Sequence, residues 1–119
     1  MSRSKATTPI SQPSPTDVTG VVTSVVLPTH NEAGNIRQIV DEITAAFANP
    51  SMESYRPYEI IFVDDSDDDT PAILSALAQE RDDVRVLFLA RQWGQSAALA
   101  AGFDDADGEF IVPMDADLQ

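Results

Sequence analysis

Four short apolar runs alternate along this chain with three segments of helical period, and that alternation leaves few folds open. Val21 to Leu27 is rich in valine and is ended by Pro28, which predicts a buried strand. From Gly34 onward, Ile36, Ile39, Val40, Ile43, Ala46 and Phe47 fall at i, i+3, i+4, i+7 spacing. They predict an amphipathic helix that Asn49-Pro50 stops, because proline cannot continue a helix. Glu59 to Val63 predicts the second strand. Thr70-Pro71 then reads as an N-cap followed by proline at the first helical position, with Ile73, Leu74 and Leu77 as the buried stripe. Val84 to Leu89 predicts a third strand, and Ser96 to about Ala106 a third helix. This last helix is rich in alanine and apolar on most faces, so it should pack closely against a sheet. Phe110 to Met114 predicts the fourth strand, whose Pro113 is tolerable only near its end.

An order β-α-β-α-β-α-β demands parallel strands joined by right-handed crossovers. The predicted fold class is therefore α/β, a doubly wound, mostly parallel sheet of strand order 3-2-1-4. The first and fourth strands then lie side by side where the winding reverses, and ligands of such sheets sit outside the carboxyl ends at that point. Pro28 to Glu32 follows the first strand and Asp115 to Gln119 follows the fourth, so both converge on one crevice, with Asp64-Asp65 one strand away. Residues 1–19, rich in Ser, Thr and Pro, read as a flexible tail, and 20–119 as one domain.

Composition narrows the partners. Seven basic residues against 20 acidic ones give a net charge of −13, and Lys5 is the only lysine. Nucleic-acid binding needs a basic footprint, and direct adhesion to anionic lipid needs basic clusters; both are disfavoured. So much acid with so little lysine suits a halophile's cytoplasm, where a Debye length of about 3 Å near 1 M salt removes most self-repulsion. The absence of cysteine excludes disulfides, thiolate metal sites and a cysteine nucleophile. No stretch approaches the ~18 apolar residues of a membrane span, and no apolar leader opens the chain, so the cytoplasm is the expected location.

Asp115-Ala116-Asp117 at the mouth of a strand places two hard oxygen donors near one point, a geometry suited to Mg²⁺ or Mn²⁺. Alone, such a tripeptide in so acidic a chain is often a solvated loop; its place at the switch point raises it. Five aspartates fall between Asp64 and Asp69. Asp67, Asp68 and Asp69 are assigned to capping the next helix and meeting its dipole, worth about 0.5–1 kcal/mol. A calcium loop fails, because Thr70 and Ala76 stand where Gly and Glu belong. Asp65, at the strand's carboxyl end, is placed to accept hydrogen bonds from a base or from ribose hydroxyls. His30 either stacks on a base or stays a solvent-facing loop group. Glu32 is a helix-start acid or a ligand contact, and Asn31 turns the chain by bonding nearby backbone. Arg91 is a candidate diphosphate partner, its alternative being a weak ion pair with neighbouring acids. Trp93 reads more readily as packing, and Gly94 as a tight turn. Neither G-x-G-x-x-G after the first strand nor a P-loop motif is present.

Taken together, Val-Val-Leu-Pro-Thr-His-Asn-Glu (25–32), Phe-Val-Asp-Asp-Ser-Asp-Asp-Asp-Thr (62–70), the stretch from Gly94 to Gly102, Ala106-Asp107-Gly108 and Met-Asp-Ala-Asp-Leu-Gln (114–119) resemble family 2 glycosyltransferases, in their polyprenyl-phosphate sugar transferase branch. The similarity runs over about residues 22–119. It implies the glycosyltransferase A-type fold with its Rossmann-like nucleotide-binding half, a GDP- or UDP-hexose donor, a polyprenyl- or dolichyl-phosphate acceptor, and Mg or Mn. Carried onto this chain, the resemblance puts Pro28, Glu32 and Asp65 at the base and ribose; His30, inside the same motif, and Arg91, the candidate diphosphate partner, complete the expected nucleotide-sugar-binding set. Asp115 falls at the nucleotide, Asp117 on the metal and Gln119 as a further metal ligand, Asp115 and Asp117 being the catalytic pair. Members usually have Tyr where this chain has His30, and a less acidic loop after Asp65.

The implied reaction moves a hexose to a polyprenyl phosphate with inversion at the anomeric carbon. An acceptor that is already anionic needs no strong general base. Family members continue beyond the Asp-x-Asp-Leu-Gln block, so the chain reads as the donor-binding half, meeting the membrane only through the lipid acceptor, at its cytoplasmic face, or through a missing C-terminal part. The competing reading is a catalytically inactive nucleotide-sugar-binding fragment. A phospho-acceptor receiver domain fails, since the acidic pair follows the second strand and no lysine beyond Lys5 exists to contact a phosphate.

Overall fold

In a computed structural model, which describes residues 20–89 and 95–116, the chain forms a single parallel sheet with helices on both faces. The elements are β1 (Thr23–Thr29), α1 (Ile36–Ala48), a 3₁₀ turn (Pro50–Tyr55), β2 (Tyr58–Asp64), α2 (Thr70–Glu80), β3 (Val84–Phe88), α3 (Gln95–Asp105) and β4 (Phe110–Pro113). Strand order is β3-β2-β1-β4, all pairs parallel, as the alternation predicts.

Side-chain parity sorts the core into two layers. Val25, Leu27, Ile60, Phe62 and Val84 point to one face, where they meet Ile36, Ile39, Val40 and Ile43 of α1 and Leu74 and Leu77 of α2. Val26, Ile61 and Val63 point to the other face and meet Ala98 of α3 and Ala106 just after it. The chain steps from β1 to β2 to β3 with helices on one side. It then returns past β1 to β4, which places α3 on the opposite side. α3 lies flat on the sheet, for a methyl group added at Gly102 falls 2.3 Å from Val26 Cγ1.

The two prolines of the strands sit where no ladder bond is lost. The amides of Phe110 and of Met114, just after β4, donate to the carbonyls of Val22, just before β1, and Val26, so the even-numbered residues of β1 face β4. Pro28 faces the same way, but β4 pairing ends at Val26–Pro113, so its missing N–H falls on the open side. β1 therefore runs on through Pro28 to Thr29 instead of ending at the proline. Pro113, of opposite parity to Phe110 and Met114, turns its nitrogen away from β1.

A buried ionic network pins the amino ends of the strands. Glu59 accepts from Ser24 Oγ at 2.5 Å, from the Asp107 amide at 2.9 Å and from Arg85 Nη2 at 3.0 Å. Arg85 also donates to the Asp105 carboxylate and to the Asp105 carbonyl. Burial works against the charge of Arg85, and the carboxylates of Glu59, Asp105 and Asp107 more than offset it, raising its pKa. The network holds the Ala106-Asp107-Gly108 turn against β1, where the Gly108 amide donates to Ser24 Oγ at 2.8 Å. A methyl at Gly108 would meet Ser24 N at 2.7 Å and the Thr23 carbonyl carbon at 2.8 Å. Gly108→Ala is expected to destabilise the fold by about 2 kcal/mol, since backbone must give way. Urea unfolding checks this, and an unchanged midpoint would contradict the close approach.

Candidate active site

Beyond the last shared pair of β1 and β4, the two strands give way to a crevice floored by the carboxyl ends of β1, β2 and β4. Its walls are two loops that hydrogen bonds lace together. Thr29 Oγ1 and Ser66 Oγ each donate to Asp64 Oδ1 at 2.6 Å, and the Ser66 amide donates to Asp64 Oδ2 at 3.2 Å. Asp64 is 1% exposed, a buried carboxylate answered by three donors. Ser66 Oγ also accepts from the Asn31 amide at 2.6 Å, and Asn31 Oδ1 accepts from the Asp67 amide at 3.1 Å. Asn31 takes φ 58°, a left-handed conformation its short polar side chain tolerates. It does turn the chain, as expected, but the backbone it bonds belongs to the loop after β2.

On this base the structure brings the predicted residues His30 and Asp65 into contact, Nδ1 to Oδ1 at 2.9 Å. The hydrogen bond to Asp65 and the charges of Asp65 and Asp67 raise the His30 pKa, against a smaller opposing effect of desolvation. Glu32 accepts from the His30 amide at 2.6 Å, so one of its oxygens shapes its own loop. α1 begins only at Ile36, which removes the helix-start reading of Glu32. Pro28 lies half-buried at the crevice floor, and Asp115 is exposed just beyond β4, at the same end of the sheet. Arg91, Trp93, Gly94, Asp117 and Gln119 lie outside the described residues, as does the expected tail 1–19.

The acidic loop after β2 divides its work. Asp68 Oδ1 accepts from the Thr70 amide at 2.8 Å, and hydrogen bonding to Thr70 lowers its pKa; it caps α2, as anticipated. The helix N-cap is Asp69, one residue before the expected Thr70, and it makes no side-chain cap bond. Two features were not legible in advance. Asp64, neighbour of Asp65, is structural, a role its sequence position does not betray. Ala116, between the two aspartates after β4, is 3% exposed and joins the core cluster with Leu27 and Ile36. That buried methyl anchors the loop from which Asp115 projects. No group of three His, Cys, Asp or Glu side chains suited to a metal forms among the described residues.

A parallel sheet of order β3-β2-β1-β4 with helices on both faces defines a doubly wound α/β domain. The chain belongs to glycosyl transferase family 2, whose pattern matches residues 24–119. It is 39% identical over 98 residues to undecaprenyl-phosphate 4-deoxy-4-formamido-L-arabinose transferase of Pseudomonas aeruginosa, covering 81% of this chain and 28% of that protein. The enzyme of the same name from Aeromonas hydrophila is 38% identical over the same length. The chain thus spans under a third of the length of these curated relatives. Its fold is similar to that of the mannosyltransferase PcManGT from Pyrobaculum calidifontis in complex with GDP-Man and Mn²⁺, with a TM-score of 0.67, 28% identity and 80% of this chain and 27% of that one covered. S. aureus TarS 1-349 in complex with UDP superposes with a TM-score of 0.65 at 26% identity, covering 81% of this chain and 27% of that one. The glycosyltransferase A-type architecture implied by the sequence resemblance is therefore the observed one, with the domain incomplete. No helix among the described residues is long and apolar enough to cross a membrane.

Proposed function

We propose that residues 20–119 form the donor-binding part of an inverting glycosyltransferase that moves a hexose from GDP or UDP to a polyprenyl phosphate, with 1–19 as a flexible tail. The observation that carries this reading is the strand order, which puts the His30–Asp65 pair and Asp115 at one switch point. The relatives' names supply the acceptor class, and the ligands of PcManGT and TarS the donor class.

In this reading Asp65 accepts hydrogen bonds from the base or ribose, on a floor formed by Pro28, with His30 and Glu32 on the adjoining wall. Asp115 approaches the nucleotide and Arg91 the diphosphate. Asp117 and Gln119 hold Mg²⁺ or Mn²⁺; an all-oxygen donor set suits either ion. The metal, when bound, neutralises charge on the departing nucleoside diphosphate. The acceptor phosphate oxygen forms the new bond to the anomeric carbon as the bond to the diphosphate breaks on the opposite face. Because that oxygen is already anionic, the chain need only bind and orient. Acceptor and donor place the reaction at the cytoplasmic face of a membrane, and the charge of −13 suits a salt-rich cytoplasm.

The test is calorimetric titration of GDP-mannose and UDP-glucose at molar KCl, with and without Mn²⁺. Metal-dependent binding is expected, weakened about tenfold or more by Asp117→Ala, the order seen when metal sites lose support. No binding by a chain shown to be folded would sink the donor-site reading.

A further inference from the structure

The first strand's loop carries the chain's only histidine, in a setting that couples a proton to the crevice. His30 Nδ1 sits 2.9 Å from Asp65 Oδ1, and the ring remains 48% exposed while the Asp65 side chain is 11% exposed. One oxygen of a nearly buried carboxylate is thus held by an imidazole that solvent, or a ligand, can reach. Carboxylates of β2 and the loop after it act on this ring. The end of β2 contributes Asp65, and the β2–α2 loop Asp67 and Asp68, while Glu32 of its own loop holds the His30 amide and Asp115 follows β4 at the same end of the sheet. The opposing influence is Asn31 Nδ2, 3.4 Å from Nε2, whose donor favours a neutral ring. Asn31 Oδ1 is committed to the Asp67 amide, so the amide keeps its donor end toward His30.

We infer that His30 is a positioning residue which fixes the Asp65 carboxylate and makes nucleotide binding proton-coupled, the imidazolium forming as an anionic diphosphate enters the crevice. This deepens the donor-site reading and rests on it. Among the described residues of the crevice, His30 is the one group able to become cationic near neutral pH. A nucleoside diphosphate brings at least two negative charges into a place already lined with carboxylates. Protonating His30 offsets part of that repulsion while keeping the Nδ1–H donor on Asp65. By linkage, affinity is greatest when the ring is already protonated and declines as pH rises through its raised pKa. Negative charge brought toward the ring favours its protonated form, and each unit of pKa change that a ligand causes is about a tenfold change in affinity. The window lies upward from the ordinary histidine value of 6.5, because the His30 pKa is raised.

A single histidine makes the test direct. The ring protons of His30 are followed by NMR from pH 5.5 to 8.5 in the 119-residue chain, with saturating Mg²⁺ and with or without GDP or UDP, at fixed ionic strength. In parallel, calorimetry in buffers of different ionisation enthalpy counts protons taken up. The expected result is a His30 pKa raised further by the nucleotide, net proton uptake near neutrality, and affinity about tenfold higher at pH 6 than at pH 8. The nucleotide's own terminal phosphate titrates near pH 6, so His30→Gln serves as the reference. That variant keeps a side-chain donor but cannot titrate, and its residual pH dependence belongs to the phosphate. A wild-type profile parallel to that of His30→Gln, with nucleotide bound, overturns the coupling and leaves the donor site standing. Absence of binding at every pH by a folded chain overturns both.

Discussion

Truncating Glu59 to alanine is expected to destabilise the chain by about 3 kcal/mol, the lower end of the range for breaking a buried ion pair. Glu59 is 5% exposed and gathers Ser24 Oγ, the Asp107 amide and the Arg85 guanidinium onto one carboxylate. Its removal strands a hydroxyl and an amide and leaves Arg85 with Asp105 and Asp107 alone. The lower end applies because the Arg85 side chain keeps 33% of its surface in solvent, which screens what is lost. Domains are stable by about 5–15 kcal/mol, so the variant should sit much closer to unfolding. In urea the midpoint should fall by about 1–3 M at unchanged slope, the slope being about 1–3 kcal/mol per molar for small proteins. Glu59→Gln keeps the shape but not the charge and should lie between. A shift under about 1 kcal/mol would mean that the network is solvated in practice and behaves as a surface pair.

The fold was legible because sheet parity and helix period write themselves directly into residue order. Val25 and Leu27 against Val26, and Ile60 and Phe62 against Ile61 and Val63, already encode two covered faces. The alternation fixes parallel pairing, and handedness then fixes where the winding reverses. The crevice followed from topology, and with it the meeting of the β1 and β2 loops. What stayed hidden depends on distance in sequence. Glu59 reads as the polar start of a strand, and nothing near it announces Ser24, Arg85 or Asp107 as partners, up to 48 residues away. Ala116 reads as a spacer between two carboxylates, yet it is the residue the core holds. Pro28 reads as a strand terminator, because a rule about missing donors cannot say which side of a strand has lost its neighbour. Of the expected site residues, Arg91, Asp117 and Gln119 stand on residue pattern and family resemblance, outside the described residues.

Asp64 and Asp65 should respond to alanine in opposite ways, and that contrast tests the site more sharply than either variant alone. Alternating parity turns the two side chains to different environments: Asp64 inward to Thr29 and Ser66, Asp65 outward to His30 at the crevice. Asp64→Ala leaves the Thr29 hydroxyl and both the amide and hydroxyl of Ser66 without their acceptor in a place that water reaches poorly. Stranded buried donors cost about 1–3 kcal/mol each when unrelieved, and partial rearrangement of the hydroxyls brings the expected total to about 3 kcal/mol of stability. Asp65→Ala forfeits only its contact with the exposed His30 ring, so its stability change should stay within about 0.5 kcal/mol. Its effect falls on nucleotide binding, where a charged hydrogen bond is worth about 2 kcal/mol, or about thirtyfold in affinity. Urea unfolding and calorimetric titration of GDP and UDP with Mg²⁺, run on both variants, measure the two axes. If Asp64→Ala instead leaves stability intact and removes binding, the structural and ligand-facing roles are exchanged. The nucleotide would then have to reach the carboxylate that Thr29 and Ser66 now enclose.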